Sequence, residues 1–413
     1  VVAPPTGHTF GVRRVTAREL SLVLRGVRLV SPAGLAVARL DATDDPETEG
    51  DDDEVTLVAL DSGAGQVLTN FGVFRAGTWG ARESELGTLA QPTDAAIDRA
   101  GRVLVSDTGN RRVVLLQHDG RSLAPVRAFG GFQDPRGVAA DGRGGFYICD
   151  RGLNAVVHLD TASGKKSTFG LEVAFDRPVA VATIPEGDRL ARGAKRVVVI
   201  ADRDGRRVRS FGVSGTLRGT RETASLGAGD VRFEALDIDY YGNIWAVDRN
   251  ANALHKLRDD LYPLDAIVCR GTEVGCFLSP RGIAIHRRFG QIFITEEDGG
   301  QYLWVGTDLK NLTIEQRAGG IAIAYVLTEA SALELKVLDT QGRDVAVLLA
   351  GEVRPAGPQQ VGWDGTDAAG RPAPDGRYFL EARARATYAS RATFERKVLK
   401  TFFLRRETDG AQE

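Results

Sequence analysis

Methionine is missing altogether from these 413 residues, and lysine occurs only eight times against 45 arginines. No run approaches the ~20 consecutive apolar residues that a membrane-spanning helix requires. Charge of one sign is lacking too: 53 basic residues face 55 acidic ones, for a formal charge of −2. A chain-wide basic footprint for nucleic acid is thereby excluded. The three cysteines fit neither a zinc ribbon nor a haem-attachment motif, and the five histidines are scattered, with His118, His158 and His255 expected on middle or outer strands and off the axial one, which disfavours a three-histidine axial centre. Phosphate loops, dinucleotide fingerprints and Gly-x-Ser-x-Gly elbows are absent as well. The chain opens Val1-Val2-Ala3-Pro4-Pro5, with neither a basic nor an apolar leader region. We therefore expect a secreted or cell-surface protein whose signal peptide has been removed.

Glycine is abundant, at 49 residues, and marks many turns between short strands. The organising feature is a repeat. Short β runs end in an acid at Asp61, Asp107, Asp150, Asp202, Asp248 and Glu296, with gaps of 46, 43, 52, 46 and 48 residues. Six positions after each acid stands an apolar or aromatic residue that opens the next run: Val67, Val113, Val156, Val208, Leu254 and Tyr302. Upstream of most acids lies a proline: Pro32, Pro92, Pro135, Pro178 and Pro280, with Glu234 expected at that place in the fifth copy. Between proline and acid comes a tight turn, as in Asp98–Gly101, Asp141–Gly144 and Asp239–Gly242. Small residues recur on the first strand at Ala36, Ala96, Ala139, Ala182 and Ala284, which suits a crowded position near an axis. Units of this length, apolar on both faces and unable to close alone, predict an all-β propeller of six blades. Repetition of the acids in every unit argues for a turn-bracing task, since catalysis needs one copy.

Proline-x-Gly-Val-Ala, then Asp-x-x-Gly, then a strand ending in Asp, then Asn and Arg before an apolar strand, resembles the NHL repeat. Asp107-Thr108-Gly109-Asn110-Arg111-Arg112-Val113 is the clearest copy; the first, fourth and sixth are degraded. The resemblance implies a six-bladed NHL-type propeller over residues 30–318. Residues 1–29 would supply a ring-closing strand, expected at Leu20–Leu24. Beyond Gly319-Gly320 the blade spacing stops. Residues 319–406 read as a β-sandwich of about seven strands, with a flexible tail at 407–413. Trp363-Asp364-Gly365-x-Asp367-x-x-Gly370 and Gly376-x-Tyr378-Phe379 resemble the Ig-like domain of the flagellar hook-capping protein family. The resemblance implies a spacer, an adhesion or docking module, or an export-associated sorting tail of a secreted bacterial protein.

No catalytic residue emerges, and no cofactor is expected. Calcium is the one ion to weigh, with Asp94, Glu234 and Asp237 as weak metal candidates near the first strands. The acidic stretch Asp44–Glu54 lacks the alternate-ligand spacing of a calcium loop and reads as solvated surface. Arginines at 203, 206, 207, 209, 218 and 221 form a patch diluted by Asp202, Asp204 and Glu222, which disfavours RNA and leaves a protein or an acidic glycan as partner. Trp79, Trp245 and Trp304 are the residues to inspect for sugar stacking. Cys269 and Cys276 bracket a glycine-containing loop and are expected to form a disulfide in an exported chain; Cys149 reads as a buried, inert thiol. The expected function is a non-catalytic binding or scaffold protein, a subunit of an extracellular assembly. The rival is a lactonase-like calcium-dependent hydrolase or propeller lyase with an axial site.

Overall fold

The computed structural model of the protein describes residues 14–23, 29–43, 55–71, 75–80, 86–188, 191, 195–227, 229–273, 275–288, 290–387 and 395–405. His8, the acidic stretch 44–54 and the tail 407–413 lie outside them. The chain divides into two compact units between Val305 and Gly306. No helix among the described residues is long and apolar enough to cross a membrane.

Among the described residues, the first unit holds six four-stranded antiparallel sheets. The innermost strands are Pro32–Arg39, Ala95–Ile97, Pro135–Ala140, Ala180–Thr183, Phe233–Ile238 and Gly282–His286. Each neighbours the next, and the sixth neighbours the first, so the sheets form a closed ring around a central channel. This is a β-propeller. The second strand of each sheet carries runs such as Val197-Val198-Val199-Ile200, buried throughout because neighbouring sheets cover both faces. Their side chains build the inter-sheet cores; Ile148, Val199, Phe233 and Ile244 are fully buried.

The ring is closed by Arg14–Val15, which pairs antiparallel with Gly300–Gln301 as the outer strand of the sixth sheet. The strand expected at Leu20–Leu24 is not there: Ala17–Val23 is a short helix. The reason is local. Thr16 Oγ1 accepts from the Glu19 N–H at 3.3 Å while Glu19 accepts from the Thr16 N–H at 2.8 Å, a reciprocal capping box that outweighs the β character of Leu-Ser-Leu-Val. Arg14 locks the closure. Its guanidinium pairs with the Glu296 carboxylate and donates to the carbonyls of Cys276 (2.8 Å) and Gly271 (3.4 Å). Those carbonyls belong to the loop bound by the disulfide Cys269–Cys276.

Among the described residues, the second unit has seven strands in two sheets, one of three strands and one of four. Its first strand, Leu309–Arg317, pairs with Gly320–Leu327. The sandwich therefore begins before Gly319, and the expected boundary at 318/319 moves back to 305/306: Gly319-Gly320 is a hairpin turn, not a linker. Trp363, Tyr378 and Phe402 pack edge-on or stacked in its core, and the Trp363 indole donates to the Thr366 carbonyl at 2.9 Å. Asp364 and Asp367 accept backbone N–H groups of the following turn.

Candidate functional site: the channel mouth

The six blade-end acids each occupy the last position of a second strand and are at most 1% exposed. Burying a carboxylate without partners is prohibitive, so each has several. Asp150 accepts from the N–H groups of Gln133 (2.8 Å) and Asp134 (3.0 Å), which precede its own innermost strand, and from Gly152 and Leu153 in the turn that follows. Asp61 and Asp248 are held in the same way. Asp107 binds the Ala90 N–H, Asn110 and Arg112; Asp202 binds Arg207 and Arg209; Glu296 binds the Leu278 N–H, Gln301 and Arg14. None of the six lines the channel cavity.

Strand register shows which residues do. Phe233, not Glu234, faces the blade-end acid Asp248, just as Pro32 faces Asp61 and Pro135 faces Asp150. The fifth copy thus carries phenylalanine at the proline place, and Glu234 aligns with Ala33, Thr93, Arg136, Val179 and Arg281. In the same register Asp237 replaces the small residues Ala36, Ala96, Ala139, Ala182 and Ala284. Asp94 stands where other copies have Gly34, Gly137, Ala180, Ala235 or Gly282. The three weak metal candidates are therefore substitutions at axial or near-axial places of the repeat.

Among the described residues they are not gathered into one cluster that could hold a metal ion. Asp94 and Asp237 both line the narrow channel, and Asp94 and Glu234 both line the wider mouth above it. Asp94 accepts from the N–H of Ala95 at 2.9 Å and, across to the third sheet, from that of Val138 at 3.0 Å. Enclosure by protein pushes its carboxyl up to about 7 despite those two bonds, and the negative charge of Asp237 adds to the rise. Asp237 accepts from Ile238 (2.7 Å) and from Ile285 of the next sheet (2.6 Å). It too is pushed up by burial, but Arg287, 3.3 Å away, works against this. Arg287 also binds Asp188 at 3.0 Å and the carbonyl of Ile238 at 2.8 Å, placing a guanidinium at the far end of the channel.

The mouth is a cavity of about 540 Å³ lined by six arginines, 136, 151, 177, 232, 249 and 281, against three acids, Asp94, Asp204 and Glu234. Four of the arginines are neutralised. Arg136 and Arg151 share Asp134 at 2.8 and 2.6 Å, Arg177 binds Asp204 at 2.8 Å, and Arg232 binds Asp230. Arg281 and Arg249 have no ion-paired acid among the described residues. Arg281 donates Nη1 to Ser31 Oγ and to the Pro32 carbonyl, bridging the sixth sheet to the first; its Nε is buried without a partner. Burial, then the nearby Arg249, holds its pKa below the usual arginine value.

This positive mouth was missed in the sequence. Its signal was present: arginine follows proline at 136 and 281, and follows the blade-end acid at 151 and 249. Of the patch singled out instead, Arg218 bonds the Arg196 carbonyl and Arg221 the Ser225 hydroxyl, and the other four arginines are spent on nearby acids. Arg203 pairs with Glu222 and Asp176, Arg206 with Asp230, and Arg207 and Arg209 with Asp202. His118, His158 and His255 lie on third strands; His158 binds Asp141 at 2.8 Å. Trp245 is buried, Trp79 is half-buried on the outer strand of the first sheet, Trp304 is half-buried on the third strand of the sixth, and no tryptophan lines the mouth. Cys149 is a free, buried thiol.

The comparisons with known proteins divide along the same lines. Residues 310–387 match the FlgD Ig-like domain. No curated protein matches the chain. Among solved structures, the propeller is similar to a virginiamycin B lyase from Staphylococcus aureus (TM-score 0.44, 9% identity, covering 72% of this chain and 92% of that one). It is similar to a protein titled a putative gluconolactonase (0.46, 12%, 73% and 93%). It is similar also to PorZ, a surface component of the type-IX secretion system of Porphyromonas gingivalis (0.39, 14%, 85% and 58%).

Proposed function

We propose that this is a non-catalytic binding protein of the cell surface or extracellular space, a subunit of an extracellular assembly. In this reading the propeller is a six-bladed ring of NHL-type repeats whose arginine-lined mouth receives the partner, and the Ig-like unit docks or attaches the chain. The observation that supports it is the mouth itself: a polar cavity in which Arg249 and Arg281 share the field of Glu234 without forming an ion pair with it, while the repeated acids are spent bracing turns. The disulfide supports an oxidising compartment. The reading invokes no resident cofactor. Arg287 beside Asp237 puts a positive charge where an axial calcium would need acids. Added calcium should therefore leave the unfolding temperature of the full chain unchanged, and a rise of several degrees would contradict this.

The test of the binding role is a rim substitution. Asn250 is exposed and lines the mouth. Immobilised full-length protein should retain material from an isolated cell-envelope fraction, and folded Asn250→Trp should lose it. Equal retention by both would refute the mouth as the binding face. One observation favours a second reading, a lactonase-like hydrolase or lyase: the Asp94 carboxyl, near 7, is suited to general acid–base work. Turnover of a lactone or ester that Asp94→Asn abolishes would establish that reading instead.

A further inference from the structure

A half-buried guanidinium loses hydration that only an anion or strong acceptors restore. Arg281 has a hydroxyl and a carbonyl on Nη1 and no carboxylate, and Arg249 has no hydrogen-bonded or ion-paired partner among the described residues. The pair sits beside the emptiest side of the mouth, where the first sheet contributes only Ser31, Ala33, Gly34 and Ser62. We propose that Arg249 and Arg281 receive the carboxylate of an acidic sugar, a hexuronate unit of an acidic polysaccharide, whose hydroxyls meet the polar wall of Thr93, Asp94, Glu234 and Asn250. The inference rests on the mouth being the binding face.

Three features select this class. Arginine pairs with carboxylates through charge-assisted hydrogen bonds, which a neutral ligand cannot supply. No aromatic residue lines the mouth, so the stacking that would hold a neutral sugar is missing there. Apolar side chains are nearly absent from its lining, where a peptide would need pockets for its side chains or a free strand edge. A cavity of about 540 Å³ lies within the range of small-ligand sites, roughly 300–1,000 Å³. Arg249 and Asn250 also line an adjoining cavity of about 310 Å³ with Arg270, Ser279 and Glu297, so a chain of sugars can run over the rim. An oligomer should therefore bind better than a single unit.

The experiment is calorimetric titration of the full chain with a glucuronate-containing tetrasaccharide, a neutral glucose tetrasaccharide and an acidic hexapeptide with a free carboxyl terminus. The expected result is binding of the uronate alone, weakened by added salt. Arg249→Ala, on a partly exposed loop, should lower the affinity about tenfold or more, the loss of one charge-assisted contact of about 1.4 kcal/mol. Arg281→Gln should do the same, and Arg281→Lys should restore part of it. Equal binding of the neutral sugar, preference for the peptide, or an Arg249→Ala variant with unchanged affinity would overturn the proposal. If no uronate binds while Asn250→Trp still abolishes envelope capture, the sugar-acid assignment falls alone. If Asn250→Trp has no effect either, the mouth reading falls with it.

Discussion

Asp94 offers a measurement whose sign changes nothing else in the fold. Its carboxyl is held near 7, against 3.8 for an ordinary aspartate. Because the native pKa lies above the unfolded one, the native state binds more protons between those values. Stability therefore falls as pH rises from about 4 to about 7 and is level beyond. Each pKa unit corresponds to about 1.4 kcal/mol, so ionising Asp94 in place costs at most about 4 kcal/mol by pH 8. Because Asp94 keeps some exposure to the channel, solvent screening brings this to roughly 2–4 kcal/mol. Asparagine has nearly the shape of the neutral carboxyl and cannot ionise. Asp94→Asn should match the wild type within about 1 kcal/mol at pH 4 and exceed it by about 2–4 kcal/mol at pH 8. Urea unfolding of both proteins across pH 4–9, followed through the propeller transition, gives the difference directly. A difference that stays flat with pH would show that the channel does not enclose Asp94 as described.

Gly34 abuts the same residue: a Cβ there would lie 2.5 Å from the Asp94 Cα and 2.7 Å from the Thr93 carbonyl. Gly34→Ala should cost about 1–3 kcal/mol by overpacking, and shortening Asp94 should not rescue it because the obstacle is backbone; a neutral effect in urea melts would refute the close approach. Asp107→Ala strips partners from the Ala90 N–H and from Arg112 and should cost about 3–5 kcal/mol while leaving ligand affinity intact in the folded fraction. Replacing Cys269 and Cys276 by serine should cost about 2–3 kcal/mol for so short a loop. Proteolysis near Arg14 should then rise with it, because Arg14 hangs on that loop; unchanged cleavage would argue that the N-terminal pairing stands without it.

The ring was legible because a propeller writes itself into the sequence several times over. Acids at regular spacing, tight turns and small axial residues all repeat, and each copy corroborates the others. What was illegible lies where copies differ. Thr16-x-x-Glu19 turned an apparent strand into helix through two local hydrogen bonds, a short-range signal hidden under β-rich composition. The proline place of the fifth copy was misassigned by one residue, because only strand pairing reveals that Phe233 faces Asp248. The arginines of the mouth come from four different sheets, so their convergence is a property of the closed ring. Conversely, arginines 203–209 are crowded in sequence yet face Asp202, Asp230 and Glu222, and cancel. The domain boundary was drawn at the most conspicuous glycines, which proved to serve a hairpin.

The two-residue strand Arg14–Val15 has a consequence for how the molecule comes into being. Its anchor, Glu296, lies 282 residues further along the chain. During synthesis Arg14–Val15 must wait, unpaired, until the sixth sheet exists. Pairing segments so far apart in sequence costs more loop-closure entropy than pairing neighbouring strands, and such non-local pairings are slow to form. The five preceding sheets can form one after another, while the annulus shuts only once the sixth has formed. If export proceeds unfolded, that shutting takes place on the far side of the membrane, where oxidation of Cys269 and Cys276 sets the latch on which Arg14 catches.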